Sequence, residues 1–275
     1  MKKIIMAIII VLIAGYCVYS GYLMFSNYRL VNAEGQRVVL AYNKSSLRNH
    51  PYILKAYERV LIREGIPFEK VEVHTLMKLD VKKMLQNTPA IIFPDGLVQH
   101  MPEELTRWIK EYLAGSGNIA VIYDVGVKNP RGYYLGKSVF ADFIGINYIT
   151  YQMFEQNAYT TGSLQFVSAK EADYFQIPLA QINVDGFLVK APYGKINFQV
   201  ARCEFIKPIP EKSIFAHAVI QKGEKYPAIV MAKYGSSNIL YVNLPLGYLN
   251  VRFGDFLLDS VLKTFLTRTL SIEKI

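Results

Sequence analysis

The sequence is poor in cysteine and histidine, two residue types that build disulfides, metal sites and nucleophilic centres. It holds two cysteines, Cys17 and Cys203. Because Cys17 lies inside an apolar run and Cys203 is alone beyond it, no disulfide is expected within the rest of the chain. The four histidines lack His-x-His, His-x-x-x-His and His-Glu-x-x-His spacing: His50, His74, His100 and His217. No metal site is therefore predicted.

Several other signatures of chemistry are also missing. The sequence has no Gly-x-Ser-x-Gly elbow and no Gly-x-x-x-x-Gly-Lys phosphate loop, so it indicates neither a serine hydrolase nor a nucleotide hydrolase. The net charge is +9, but no run of five basic residues and no recognised nucleic-acid-binding module occurs. We therefore predict no cofactor and no nucleic-acid partner.

The composition is that of a folded, rather apolar protein. The 275 residues are 52% hydrophobic and 19% charged, with a mean hydropathy of +0.17. This balance excludes a disordered chain, and the length suffices for one or two domains with a buried core.

An uncharged run of 22 residues, 4–25, stands near the amino terminus. As a helix at 1.5 Å per residue it would be about 33 Å long, enough to cross a bilayer core of about 30 Å. We predict that residues 1–28 form an anchor and that residues 4–25 contact the lipid bilayer. Two alternatives remain: a cleaved signal peptide ending near Ser20 and Gly21, and lipidation at Cys17.

The basic residues flanking this run indicate its orientation. Lys2 and Lys3 precede it and favour an amino terminus inside the cell, whereas Arg29, Arg37 and Lys44 argue weakly for the opposite. We predict a single-pass protein of the cell inner or plasma membrane, with residues 29–275 as an α/β domain outside the cytoplasm.

The first half of that domain alternates strand and helix patterns, which predicts a mostly parallel sheet covered on both faces. Strands are predicted at 37–43, 71–76, 89–94 and 118–124, and helices at 51–64, 78–87, 102–114 and 136–144. Between about 147 and 250 the pattern changes to short aromatic-rich strands separated by Pro and Gly turns, which predicts an antiparallel portion. A final helix is predicted near 253–269. No polar linker separates the halves, so we predict one body, flavodoxin-like in its parallel part, with an antiparallel carboxyl-terminal extension.

Three stretches carry a resemblance to a known family. They are NTPAIIFPDGLVQHMPEELTRWIKEYLAGSGNIAVIYDVG from residue 87, GKSVFADFIGINY from residue 136 and KYPAIVMAKYGSSNILYVNLPLGYLN from residue 225. They resemble the class I glutamine-amidotransferase-like fold, in the variants found as β-galactosidase trimerisation domains and beside polysaccharide deacetylases. The resemblance covers most of residues 36–268.

The resemblance also implies that catalysis has been lost. Catalytic members of the family place a cysteine nucleophile in a tight turn after a strand, where this chain has Tyr123 and Asp124. Their His and Glu pair has no match, and His217 is isolated in a predicted strand. The Asp-Asp pair and His-x-x-x-His of zinc polysaccharide deacetylases are absent too. The family pattern thus implies a degenerate member of the fold.

Two aspartates are the strongest candidates for a ligand site. Asp95 and Asp124 both follow predicted parallel strands, and ligands of open α/β folds bind at that edge of the sheet. Lys128, Asn129 and Arg131 follow in the loop after Asp124 and could meet an anionic or hydroxylated ligand. The plainer interpretation is that the aspartates cap turns and the loop is solvated.

Tyrosine is unusually frequent, with 20 residues. Such rings suit sugar faces, protein interfaces and strand cores alike. The family resemblance then suggests a membrane-anchored, non-catalytic accessory or assembly protein, with protein partners in the membrane and possible contact with polysaccharide. The alternative is an envelope hydrolase acting on glycan through Asp95 and Asp124. A membrane sensor is disfavoured, because only three residues would cross to the other side.

Overall fold

A computed structural model describes residues 35–149, 162–177, 182–183, 188–190, 202–210, 213–220, 225–254 and 256–272. The predicted anchor at 4–25 lies outside these residues. Within the described ranges, no helix combines the length and hydropathy needed to cross a bilayer.

The first half of the described chain alternates strands with helices, as the sequence predicts. Its strands are β1 (Val38–Tyr42), β2 (Phe68–Glu72), β3 (Ala90–Phe93) and β4 (Asn118–Ile122). Its helices are α1 (Lys44–Asn49), α2 (Pro51–Arg63), α3 (Val73–Leu76), α4 (Val81–Asn87), α5 (Glu103–Ala114) and α6 (Ala141–Ile144).

The second half is rich in strands and closes with helices. Its strands are β5 (Ile146–Ile149), β6 (Gly162–Phe166), β7 (Ile182–Asn183), β8 (Leu188–Lys190), β9 (Arg202–Phe205), β10 (Ile214–Ile220), β11 (Lys225–Tyr234) and β12 (Ser237–Val242). Its helices are α7 (Ala169–Tyr174), α8 (Leu246–Phe253) and α9 (Leu257–Lys263), and α9 continues as a π-helix over Thr264–Thr269.

Ten of the described strands form one sheet in the order β2-β1-β3-β4-β12-β11-β10-β6-β8-β7, while β5 and β9 form a separate antiparallel pair. The four pairings from β2 to β12 are parallel, and the five from β12 to β7 are antiparallel. The α/β sheet with an antiparallel extension is therefore confirmed. The expectation of a mostly parallel sheet is not, because the antiparallel pairings outnumber the parallel ones. Strand β12, which falls in the predicted antiparallel portion 147–250, differs from that prediction by pairing in parallel with β4.

Helices cover both faces of the parallel part. The chain moves from β1 to β2 in one direction and then back across to β3 and β4, so right-handed crossovers place α2 on one face and α4 and α5 on the other. The helices α8 and α9 pack against α2. The strands β1, β3 and β4 are almost wholly buried between these layers.

Helix α5 illustrates how the local sequence builds this packing. Glu103 and Glu104 lie in its first turn, where carboxylates favour the positive end of the helix dipole. The buried Tyr112 donates a hydrogen bond to the carbonyl of Thr88 at 2.6 Å. A Cβ on Gly117 would lie 2.4 Å from the Tyr112 ring, so only glycine permits this close approach.

One strand differs in position from the prediction. The apolar run at 71–76 predicts a strand there, but β2 ends at Glu72 and α3 begins at Val73. The Glu72 carboxylate accepts the N–H of His74 at 2.8 Å and so caps the short helix. The strand therefore ends before the predicted residue 76, because a side chain caps a helix there. The pattern of hydrophobic residues does not reveal such a cap.

Candidate functional site at the carboxyl edge of the parallel strands

The predicted aspartates both lie where parallel strands end. Pro94 separates Asp95 from the end of β3, and Tyr123 separates Asp124 from the end of β4. Strands β3 and β4 are neighbours, so the structure brings the two carboxylates to the same edge of the sheet. The neighbouring strands β1 and β3 mark the point where the strand order reverses, which is where open α/β folds bind ligands.

The Asp95 carboxylate is buried, with 2% of the residue exposed. Its Oδ1 accepts the Tyr57 hydroxyl at 2.6 Å and the Gly247 N–H at 2.8 Å. Its Oδ2 accepts the N–H of Tyr248 at 3.1 Å. These two amides belong to the first turn of α8, whose own N-cap residue, Pro245, makes no side-chain cap. Asp95 thus supplies from a distance the cap that the helix needs.

Close packing brings α8 to Asp95. A Cβ on Gly247 would lie 2.7 Å from both Ile53 Cγ2 and Tyr57 Cε2, and 2.9 Å from Asp95 Oδ1. The absence of a side chain at Gly247 therefore lets α8 approach α2 and the carboxylate together.

Burial also changes the acidity of this cluster. Desolvation raises the pKa of Asp95 from 3.8 to about 6, while its hydrogen bonds from Tyr57 and Gly247 work in the opposite direction. The nearby charge of Asp124 adds to the rise. Burial and the Asp95 charge raise the pKa of the Tyr57 hydroxyl well above its usual value. The cluster thus holds a carboxyl group that changes its charge near neutral pH.

Asp124 has a similar environment with different partners. It is 8% exposed, and its Oδ1 accepts the N–H of Gly96 at 2.7 Å. Its Oδ2 accepts the side-chain amide of Gln99, and the Gln99 Oε1 accepts Lys128 Nζ at 2.9 Å. Burial raises the pKa of Asp124, and the Gln99 hydrogen bond and the Lys128 charge oppose that rise.

These polar contacts hold two loops side by side beyond the strand ends. The N–H of Gly126 donates to the carbonyl of Val98 at 2.9 Å, and the N–H of Lys128 donates to the carbonyl of Gln99 at 2.9 Å. The pairing of β3 with β4 is thus continued by the segments that follow them. Asp124 and Gln99 tie this extension together through their side chains.

The chain then forms a compact turn over residues 127–135, which we call the 127–135 loop. The N–H of Leu135 donates to the carbonyl of Val127 at 2.8 Å, which closes its base. The Asn129 side chain accepts the N–H groups of Arg131 at 2.9 Å and Tyr133 at 3.1 Å. Lys128 Nζ lies 4.8 Å from the centre of the Tyr134 ring. Asn129, predicted as a ligand contact, is therefore part of the loop's own scaffold.

The residue before Asp124 has a strained backbone. Tyr123 has a φ of +61°, which costs a residue with a side chain about 1–2 kcal/mol. Its N–H donates to the carbonyl of Val242 at 2.6 Å. A tight turn thus follows β4, and a largely buried tyrosine occupies it.

Neither Cys203 nor His217 lies on an element next to this turn, whereas His100, in the loop after β3, pairs in parallel with Lys128. Cys203 lies on β9, in the separate two-stranded sheet. His217 lies on β10, three strands away from β4 in the sheet order, or about 14 Å at about 4.8 Å per strand. In the described ranges, no group of three or more His, Cys, Asp or Glu side chains is arranged to hold a metal ion.

Sequence reasoning found the aspartates but missed several of their partners. Tyr57 lies within the predicted helix 51–64, but no motif distinguishes it, and Gln99 belongs to no motif either. The strain at Tyr123 leaves no trace in the composition. The residues next to Gly247 in the sequence do not indicate that the Asp95 carboxylate lies against it.

Comparisons with known proteins bear on the fold. No protein-family model matches the sequence, and no curated protein shows significant similarity to it. A catalytic mutant of a GH42 β-galactosidase from G. stearothermophilus superposes with a TM-score of 0.57 at 13% identity, over 88% of this chain and 31% of that chain. The β-galactosidase from Bacillus circulans sp. alkalophilus gives 0.55 at 11% identity, over 87% and 32%.

A shorter solved structure matches over most of its own length. It is a ThuA-like protein from Bacteroides uniformis, with a TM-score of 0.50 at 10% identity, covering 84% of this chain and 91% of that one. The chain spans about a third of the length of the galactosidases that it matches. At these identities the likeness concerns the fold alone. The fold is thus the amidotransferase-like α/β fold, shared with the ThuA-like protein and with part of the GH42 β-galactosidases.

Proposed function

We propose that this chain is a membrane-anchored, non-catalytic accessory or assembly protein of cell-surface polysaccharide synthesis, modification or export. The observation that carries the proposal is the turn after β4. Glutaminase chemistry needs an activated thiolate, and that turn holds the largely buried Tyr123 instead.

The hydrogen bonds of the aspartates support a structural role. Asp95 is enclosed by the Tyr57 hydroxyl and two amides of α8. Asp124 is occupied by Gly96 and Gln99. A general acid or base must come within hydrogen-bond distance of the substrate, and these carboxylates point into the contacts that hold the loops.

The link to polysaccharide rests on analogy. Two of the similar solved structures are named β-galactosidases, and this chain matches only part of each. Fold likeness alone does not determine function. In this proposal the domain serves as a scaffold beside enzymes of glycan chemistry and does not perform the chemistry itself.

The proposal includes an anchor at residues 4–25. A bilayer-spanning helix there would hold the α/β domain outside the cytoplasm and restrict it to partners in or near the same membrane. It would account for the uncharged run of 22 residues.

A glycan hydrolase using Asp95 and Asp124 is the second candidate. One observation favours it: two buried carboxyl groups with raised pKa lie at the same sheet edge, and perturbed acidity is common at catalytic sites. Against it stand the near-complete burial of Asp95 and the occupation of both groups by backbone amides.

The two candidates are separated by purifying the full-length chain from its native membrane in detergent and identifying co-purifying proteins by mass spectrometry. An unrelated single-pass protein, prepared identically, is the control. Glycosyltransferase, deacetylase or export components specific to this chain, retained by Asp124→Asn, support the accessory role. If the purified wild type hydrolyses glycan and Asp124→Asn abolishes that activity, the hydrolase replaces the accessory protein as the assigned function.

A further inference from the structure

The segment that contains the 127–135 loop is basic. Residues 125–137 include Lys128, Arg131 and Lys137 and no Asp or Glu. Lys137 forms an ion pair with Asp142 at 2.6 Å. In the described part of the chain, no ion pair joins Lys128 or Arg131 to an acid. Arg131 is exposed and thus available to an anion from outside, while the half-buried Lys128, whose charge also acts on Asp124, adds to the positive potential of the loop.

The loop that carries these charges is already ordered. The Asn129 side chain holds two of its amides, its base is closed by Leu135 and Val127, and Lys128 is held by Gln99. A flexible loop loses conformational entropy when it becomes ordered on binding, and this loss weakens the affinity. A loop that is already ordered avoids that loss and is well suited to bind a ligand.

The loop also presents one aromatic ring. Tyr133 is 65% exposed. The other exposed residues around it are Pro130, Arg131, Gly132, Gly136 and Lys137. A protein interface of ordinary size needs about 800 Å² on each partner, with an apolar centre. One ring among cations and glycines is a small surface, and it suits the apolar face of a sugar ring better.

We propose that the 127–135 loop binds an acidic polysaccharide. A sugar ring packs on Tyr133, and Arg131 and Lys128 attract the carboxylate or other anionic groups of the polymer. The inference deepens the proposed function and rests on it for the polysaccharide context, but the loop's charge and exposed ring define the ligand class.

The test is a calorimetric titration of the full-length chain in detergent with a de-esterified oligogalacturonate. The fully methyl-esterified oligomer is the matched probe, because it has the same sugar backbone without the charge. We expect binding to the charged oligomer that weakens with added salt and much weaker binding to the ester. Undetectable binding to the charged oligomer, or equal binding to both, overturns the inference.

Variants locate the site. Tyr133→Ala should weaken binding about tenfold, and Arg131→Gln should weaken it several-fold and reduce its salt dependence. Arg107→Gln on α5 and Tyr52→Ala on α2 are controls, since both side chains are exposed and belong to helices outside the loop. Equal losses in the controls would indicate unspecific charge attraction and overturn the site. Tyr133→Phe should bind normally, which separates a role of the ring from a folding defect.

A polyglutamate peptide tests whether the loop binds acidic protein segments instead of an acidic polysaccharide. If it binds as tightly as the oligogalacturonate and is weakened by the same variants, the loop recognises acidic protein segments, and the assignment to sugar fails. Failure here leaves the co-purification result unchanged, because that measurement depends on partners and not on this loop. A missing partner likewise leaves the titration unaffected.

Discussion

Gly247 and Asp95 lie 152 residues apart in the sequence, yet the N–H of Gly247 donates to Asp95 Oδ1 at 2.8 Å. This bond joins the first turn of α8 to the loop after β3. The same carboxylate oxygen accepts the Tyr57 hydroxyl of α2. One buried carboxyl group therefore positions two helices and a loop at the edge where the candidate site lies.

Removing the Asp95 carboxylate should destabilise the protein more than removing a cap at the surface. Asp95→Ala leaves the Tyr57 hydroxyl and two helix amides without their acceptor in a buried place, at about 1–3 kcal/mol for an unsatisfied group. We expect the free energy of unfolding to fall by about 2–4 kcal/mol. Asp80→Ala is the control, because Asp80 caps α4 at an exposed position and should cost about 1 kcal/mol. Equal losses in denaturant titrations would contradict the role of Asp95.

Stability should depend on pH through Asp95. Its pKa rises from 3.8 to about 6 on folding, so the folded state binds the proton more tightly than the unfolded state. The contribution of Asp95 protonation to the free energy of unfolding is complete below about pH 4. It is lost as the pH rises through about 6, a change of about 3 kcal/mol. Unfolding measured from pH 4 to 7 should show this slope in the wild type and a smaller slope in Asp95→Asn. Parallel curves for the two proteins would contradict the assignment.

Adding one methyl group at position 247 should separate α8 from α2. In Gly247→Ala the new Cβ would lie 2.7 Å from Ile53 and Tyr57 side-chain atoms, and overpacking of this kind costs about 1–3 kcal/mol. Gly136→Ala is the matched control, because a Cβ there meets nothing within 4 Å. Thermal unfolding of both variants tests the prediction, which fails if Gly247→Ala is as stable as Gly136→Ala.

The Gln99 side chain should control the order of two loops. Gln99→Ala removes the bridge between Asp124 and Lys128, and local opening then requires less free energy. Amide hydrogen exchange should accelerate at residues 96–100 and 126–135 and stay unchanged in β12. Gln86→Ala, at an exposed position on α4, serves as the comparison. Acceleration spread evenly over the chain would indicate general destabilisation instead.

The elements that the sequence predicted well are those whose pattern is local. The buried stripe of α5, from Leu105 to Leu113, and the apolar runs of β3 and β4 appear in the structure near their predicted positions. Because parallel strands end at one edge, the neighbourhood of Asp95 and Asp124 could also be predicted.

Features that depend on distant residues could not be predicted. Helix α8 was not expected, because Pro245 and Gly247 are typical of a turn and its cap comes from Asp95, far away in the sequence. The partnership of Tyr57 with Asp95 spans 38 residues. Nothing in the local sequence around Tyr57 signals a hydrogen-bonding role beyond burial.

The return of β12 to the side of β4 affects how the protein can be made. Strand β4 ends at Ile122, and the parallel neighbour that covers its edge is not complete until Val242. A ribosome adds about 5–20 residues each second, so the roughly 120 residues between them take about 6–24 s. During that interval the newly made parallel half has an open apolar strand edge, which is prone to pair with other chains. The nascent chain would therefore depend on a chaperone or on delayed folding until its carboxyl-terminal third has been synthesised.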